Sequence, residues 1–316
     1  MEEMFMKNYI NIVFAADNNY AQHTCVAMIS ILSNTQQRER LRFFLLSDNI
    51  SDVKKGKISD SVDKFGAIVN FIDVADDSFN QVYTSGHISK AAYFRLLIAE
   101  LLPQEINKVI YLDVDLLVYK DIINLWEYDL GNKPIAAVAD YGIMASARLC
   151  KQKNEIIGLQ GRSYFNSGVL VLDLQQWREK KYGMSIINLV RKQKFPHHDQ
   201  DALNKIFMDK WTMLPLAWNV IPPVFNLFAK ILFKKKLRNY AVTAKKDPAI
   251  FHFAGRYKPW EFEKTEGFND KYYEYLSLTE FSDLYMPQPS CNMKGKSIFR
   301  QQLRLKWADL WSCILK

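Results

Sequence analysis

Two carboxylates separated by a single residue, Asp113-Val114-Asp115, sit inside an otherwise apolar stretch, with Val109-Ile110-Tyr111-Leu112 before them and Leu116-Leu117-Val118-Tyr119 after. In an extended chain side chains alternate faces, so Asp113 and Asp115 are expected to point the same way and Val114 back into the core. Like charges side by side at the end of a buried strand repel each other and resist desolvation. A divalent cation relieves both problems. Hard oxygen ligands in this arrangement suit Mn²⁺ or Mg²⁺, and phosphate oxygens can complete the shell. An Asp-x-Asp also begins solvated turns, but such a turn normally carries Gly, Pro or Asn, and the flanks here carry none.

The elements that position these residues follow from periodicity. Residues 10–16 read as a buried strand, Asp17-Asn18-Asn19-Tyr20 as a polar turn, and 21–33 as a helix through Val26, Ile29 and Leu32. Residues 41–46 form a second predicted strand, Ser51-Asp52 caps a helix running to about Phe65, and 67–72 form a third strand. This βαβαβ alternation predicts an α/β protein with a parallel, doubly wound sheet, whose ligands bind at the carboxyl ends of the strands. Asp17, Asp113 and Asp115 are therefore expected on one rim. Residues 74–89 show no period, and 91–101 read as one amphipathic helix carrying Arg95. A short strand at 135–138 ends near Asp140, and a longer one at 165–174 is entered through Asn166-Ser167-Gly168. Helices are expected at 175–191 and 200–208, and a last short strand at Phe251-His252-Phe253-Ala254-Gly255.

Composition narrows the classes. The 316 residues are 49% hydrophobic and 24% charged, enough for one large domain with additions or two small ones. Cys25, Cys150, Cys291 and Cys313 show no Cys-x-x-Cys spacing and fit reduced thiols in a cytosolic protein. No apolar run reaches the roughly 18–20 residues that span a bilayer. The N-terminus, with Glu2, Glu3 and Lys7, does not read as a secretory signal. Much of the formal charge of +8 lies in residues 230–246 and at the end of the chain. Local basic patches of this kind point to anionic lipid or an anionic substrate rather than to nucleic acid.

Six blocks then stand in order: Ala15-Ala16-Asp17-Asn18-Asn19-Tyr20, Arg95, Asp113-Val114-Asp115, Phe165-Asn166-Ser167-Gly168-Val169, His198-Asp199-Gln200-Asp201-Ala202-Leu203-Asn204, and His252-Phe253-Ala254-Gly255-Arg256-Tyr257-Lys258-Pro259-Trp260. In this order and spacing they closely resemble glycosyltransferase family 8, above all the bacterial galactosyl- and glucosyltransferases of lipopolysaccharide outer core. The resemblance covers about residues 10–265. It implies a GT-A fold, a Rossmann-like mixed sheet with a C-terminal helical extension, and Mn²⁺-dependent, retaining transfer of a hexose from UDP-galactose or UDP-glucose.

The same resemblance implies roles residue by residue. Asp113 and Asp115, flanking Val114, hold the metal on the donor diphosphate, and His252 is the third protein ligand, although a lone His on a strand is more often packed core. Ala15, Asp17 and Asn19 lie on the uridine side with Tyr20 stacking on the base; a helix-capping turn would use the same residues. Arg95 and Asn166 meet the donor, against the plainer readings of a solvated helix arginine and a purely conformational Asn-Ser-Gly turn. Gly255 lets backbone approach phosphate, and Lys258 places a point charge on the diphosphate. Asp199 and Gln200 contact the transferred sugar, with Gln200 near the anomeric carbon. An amide oxygen is a weak nucleophile, so front-face attack with Gln200 as a dipole is favoured over a covalent intermediate. Asp140 and His87 fall where family members meet the acceptor or close over the donor.

The chain is expected to divide into a catalytic domain, 1–265, and a basic, aromatic C-terminal region, 266–316. In the latter Phe299, Leu303, Trp307, Leu310, Trp311 and Ile314 recur at helical spacing, with Arg300, Arg304 and Lys306 at other positions. This reads as a helix lying on an anionic membrane surface, or else packed on the catalytic domain. The expected protein is a cytosolic, peripherally membrane-associated transferase acting on a lipid-linked saccharide. Its rivals are a self-glucosylating primer protein of the glycogenin type and a non-enzymatic nucleotide- or nucleic-acid-binding module.

Overall fold

The computed structural model describes residues 9–74, 90–225, 235–255, 258–261 and 268–282. The first half is built as the periodicity predicts: β1 (Ile10–Asp17), α1 (Ala21–Ser33), β2 (Leu41–Asp48), α2 (Asp52–Asp63) and β3 (Ile68–Asp73). Then come α3 (Ala91–Phe94), α4 (Ile98–Leu101), β4 (Lys108–Leu112), β5 (Leu116–Val118), α5 (Ile123–Trp126), β6 (Ile135–Ala139), α6 (Tyr141–Met144) and α7 (Ala147–Ile157). The remainder is β7 (Phe165–Asp173), α8 (Leu174–Glu179), α9 (Tyr182–Lys192), α10 (His198–Ile206), β8 (Trp211–Leu214), α11 (Lys235–Lys246), β9 (Ile250–His252) and α12 (Phe268–Leu276).

Seven strands form one mixed sheet in the order β3-β2-β1-β4-β7-β6-β8. Both its faces are covered, so β1 is buried on both: Ile10, Ile12, Phe14 and Ala16 pack toward α1, while Val13 and Ala15 pack toward α3 and α10. The strands β1 to β4 pair parallel, and β7 runs antiparallel to both β4 and β6. That reversal brings the start of β7 beside the carboxyl ends of its neighbours, with Leu112 opposite Val169 and Ala139 opposite Phe165. Asp17, Asp113, Asp140 and Asn166 thereby share a rim. Pairing between β6 and β7 jumps from Ala137↔Leu170 to Val138↔Asn166, so Ser167-Gly168-Val169 bulges at that rim. A second, two-stranded sheet joins β5 antiparallel to β9.

Three local expectations are corrected. Asp113-Val114-Asp115 is not part of one extended strand: β4 ends at Leu112 in the large sheet, the chain bends at Val114 and Asp115, and β5 begins in the small sheet. Val114 is only partly buried and lines a cleft. The expected helix over 91–101 is two short α-helical turns around a 3-10 turn, Arg95–Leu97, with Arg95 buried. The helix over 175–191 breaks at Lys181, which takes a left-handed φ of 51°. Past residue 265, Tyr272, Leu276 and Phe281 are buried in the same core as α1. His87 and residues 283–316, including the basic-aromatic tail, lie outside the described residues, as do 226–234 of the basic stretch.

Candidate active site

A cleft of about 700 Å³ opens on the rim. It is lined from β1 by Ala15 and Asp17, from the break after β4 by Asp113, Val114 and Asp115, and from β9 onward by His252, Gly255 and Lys258. Tyr20, Arg95, Asp140, Asn166, Asp199 and Gln200 also line it. Of the site residues expected from sequence and described here, Asn19 alone stands outside this lining, and it is exposed.

One ligand atom each from Asp113, Asp115 and His252 lies within 4.8 Å of the others. The break between sheets explains the convergence. Asp113 stays with the large sheet, its N–H donating to Gly168 O (2.8 Å), whereas Asp115 enters the small sheet, where Leu116 pairs with His252. His252 Nε2 sits 3.1 Å from Asp115 Oδ1 and 3.8 Å from Asp113 Oδ2. Gly168 leaves the room this needs, since a Cβ there would fall 2.4 Å from His252 Cε1 and 2.7 Å from Asp113 Oδ2. Two carboxylates and one imidazole, turned together on a cleft wall, fit a Mn²⁺ or Mg²⁺ ion with positions left for oxygen ligands. Lys258 Nζ already pairs with Asp115 Oδ2 and donates to Phe253 O (2.9 Å). Burial opposes charge on Asp115, but Lys258 and His252 outweigh it and hold the carboxyl below the usual carboxylate range. Gly255 takes φ of 102°, a conformation that favours glycine.

Arg95 organises the floor. Its Nη1 donates to Ser167 O (2.7 Å) and lies 3.0 Å from Asp113 Oδ1, and its plane covers Tyr111, whose hydroxyl donates to Asp113 Oδ1 (2.8 Å). Burial works against the guanidinium charge, yet Asp113 and Asp199 together raise its pKa further. Arg95 Nε is 3.1 Å from Asp199 Oδ2, but its one hydrogen is given to Ala92 O (2.7 Å). Asp199 Oδ2 therefore feels the charge without receiving a hydrogen bond, and it remains buried without a donor. Burial raises the Asp199 pKa, against the pull of Arg95.

Gln200 is held at both ends of its amide. Oε1 accepts from Ser167 N (3.1 Å), and Nε2 donates to Asp140 Oδ2 (3.1 Å) and Tyr164 OH (3.2 Å). Asp140 also caps α6 through Ile143 N (3.0 Å) and accepts from Asn166 Nδ2 (3.2 Å). Behind this layer Tyr164 donates to Asp201 Oδ1 (2.8 Å), which pairs with the buried Lys153 at 2.5 Å. At the opposite end, Asp17 Oδ1 accepts from Asn19 N (2.8 Å) and Tyr20 N (3.1 Å), a side-chain turn that leads into α1. Tyr20 meets Trp260 edge-on, and Trp260 stacks on His23 at 3.6 Å.

Sequence reasoning passed over Tyr111, Tyr164, Ser167, Gly168 and Asn219 as site residues. Asn219 Oδ1 meets His252 Nδ1 at 3.0 Å. Ser167 and Gly168 lie within the motif Phe165-Asn166-Ser167-Gly168-Val169, so their signal is present in the sequence; Asn219 stands in no motif.

The fold has a counterpart among solved structures. The galactosyltransferase LgtC, solved in complex with donor and acceptor sugar analogues, superposes with a TM-score of 0.76 at 26% identity, covering 93% of this chain and 100% of that one. The fold is that of a GT-A glycosyltransferase. The model of glycosyl transferase family 8 matches residues 11–264, and the chain belongs to that family. Among curated relatives, general stress protein A of Bacillus subtilis is 32% identical over 286 residues, 88% of this chain and 96% of the relative. Lipopolysaccharide 1,2-glucosyltransferase of Escherichia coli K12 is 26% identical over 254 residues, 79% of this chain and 72% of the relative. The chain is thus a transferase of sugars rather than a non-enzymatic module.

Proposed function

We propose that this protein transfers galactose or glucose from its UDP-sugar, with retention, to a lipid-linked saccharide such as lipopolysaccharide core or a related surface glycan. The observation that carries the reading is the convergence of Asp113, Asp115 and His252 on the wall of the cleft that Asp17, Lys258 and Gln200 also line. A Mn²⁺ ion held by those three side chains, with Mg²⁺ as its substitute, would neutralise the donor diphosphate as the sugar bond breaks. Lys258, within reach of the same carboxylate, adds a second positive charge for that diphosphate. Asp17 and Tyr20 take the uridine end. Asp199, which lacks a donor for Oδ2, accepts from a sugar hydroxyl. Gln200, fixed by Ser167 and Asp140, turns its amide dipole on the anomeric carbon, while Asn166 meets the donor sugar and Asp140 borders the acceptor side.

UDP release from a panel of UDP-sugars with Mn²⁺, with and without a truncated core acceptor, tests the reading. Acceptor-stimulated release from UDP-galactose or UDP-glucose is expected, and release from neither refutes it. The place of work is the inner face of the cytoplasmic membrane, reached through the basic-aromatic tail. Each basic side chain near an anionic surface contributes about 1 kcal/mol. Deleting residues 297–316 should abolish binding to anionic liposomes and leave transfer to a small soluble acceptor unchanged. Loss of soluble activity would instead place the tail in the packing of the catalytic domain.

A further inference from the structure

The hydrogen bonds behind His252 have a direction that can be read link by link. Gly168 N lies 2.9 Å from Asn166 Oδ1, and a backbone N–H only donates, so this Asn166 atom is the carbonyl oxygen. The other end of that amide, Nδ2, donates to Asp140 Oδ2 at 3.2 Å. Asn219 approaches the same Asn166 oxygen at 2.8 Å and must do so with its NH₂. Its remaining atom, Oδ1, faces His252 Nδ1, and a carbonyl oxygen there requires the proton on Nδ1. Nε2 is then the nitrogen turned to Asp113 and Asp115, and a lone pair aimed at two carboxylates is an arrangement that a cation between them satisfies.

We propose that Asn219 is a positioning residue that holds His252 as the Nδ1–H tautomer and presents Nε2 to the divalent cation. The inference rests on the reading of Asp113, Asp115 and His252 as the cation site. Asn219 suits the task because it is 1% exposed and the next residue, Val220, is tied to the strand that carries the histidine. Val220 N donates to Ile250 O and His252 N to Val220 O, both at 2.9 Å. Asp140 Oδ2 receives both the Asn166 end of this chain and Gln200 Nε2, so the cation ligand and the amide at the anomeric carbon are set by one carboxylate.

The test is Mn²⁺ affinity in the presence of UDP, read by electron paramagnetic resonance, for the wild type, Asn219→Leu and Asn219→Asp. Loss of an outer-shell partner typically weakens metal binding by about 10- to 100-fold, and that is expected of Asn219→Leu. Asn219→Asp keeps an acceptor for Nδ1–H but sets a carboxylate oxygen against Asn166 Oδ1, so it should recover the affinity only in part. UDP affinity without metal should be the same in all three. If the wild type binds no Mn²⁺, the cation site itself fails; if Asn219→Leu binds as the wild type does, only the role of Asn219 fails. Should Asn219→Leu not fold, the wild type still decides. Long-range ¹⁵N–¹H correlation with Mg²⁺ and UDP should find His252 protonated on Nδ1, and a proton on Nε2 would overturn the proposal.

Discussion

His252 and His23 are both buried, and each has its Nδ1 tied to a neighbour: Asn219 Oδ1 at 3.0 Å in one case, the Tyr272 hydroxyl at 2.6 Å in the other. Their other faces differ. His252 turns Nε2 to two carboxylates at the junction of two sheets. His23 lies flat on Trp260, has Tyr20 at its edge, and helps fasten α12 to α1. Burial, with the positive charge of Lys258 as a lesser cause, lowers its pKa to about 3, so it is a neutral ring serving as apolar surface. Burial is common to both; the charges gathered by the surrounding elements decide which ring can ligate.

The widest separation between the two regions should come from removing their central groups. Asp113→Asn, Asp115→Asn or His252→Ala should each lower transfer on the order of 1,000-fold, because a cation at a leaving diphosphate supplies several kcal/mol. Turnover of the wild type in EDTA, after verified metal removal, would refute this. His23→Ala should instead leave kcat of the folded protein near the wild-type value and cost about 3 kcal/mol of stability, in the range of large buried aromatic truncations. A His23→Ala protein that is stable yet no longer binds Mn²⁺ with UDP would dissolve the contrast.

A smaller effect is expected inside the charged region. Gln200→Ala should reduce kcat about 100-fold, the scale for one preorganised dipole, with little change in donor KM. Loss of donor affinity in step with rate would make Gln200 a ground-state binding residue.

The smallest effect belongs to His23 and pH. Its folded pKa lies below the unfolded value of 6.5, so the unfolded chain binds the extra proton between pH 6.5 and about 3. Stability from this group is present above pH 6.5 and falls as pH falls through that window. The loss should be about 2 kcal/mol between pH 7 and 5. Urea unfolding of the wild type and His23→Phe at both pH values measures it, since the phenylalanine ring keeps the stack without titrating. Equal pH dependence in the two proteins would show that His23 is not the titrating group.

What could be read in advance was whatever lies contiguously in the chain. The strands through β3 follow from alternation and apolar runs, and Asp17, Asp113-Val114-Asp115 and His252 announced themselves inside short blocks. Periodicity alone could not place Arg95 in the site, because the carboxylates that justify its burial, Asp113 and Asp199, arrive from elsewhere in the fold. Asn219 left no trace, being 33 residues from the histidine it meets. The break after Leu112 was equally hidden, since an apolar run looks alike whether it stays in one sheet or changes to another. The packing of α12 escaped because its decisive partners, His23 and Asn34, lie at the far end of the chain.

That change of sheet has a mechanical corollary. Asp113 is fastened to the seven-stranded sheet through Gly168, while Asp115 and His252 travel with the two-stranded one. An ion held by all three is a rivet between two plates. Its binding would then be coupled to how closely β5 and β9 are held against the larger sheet. Substitutions in the hydrophobic seam between them would retune ion retention without altering any ligand.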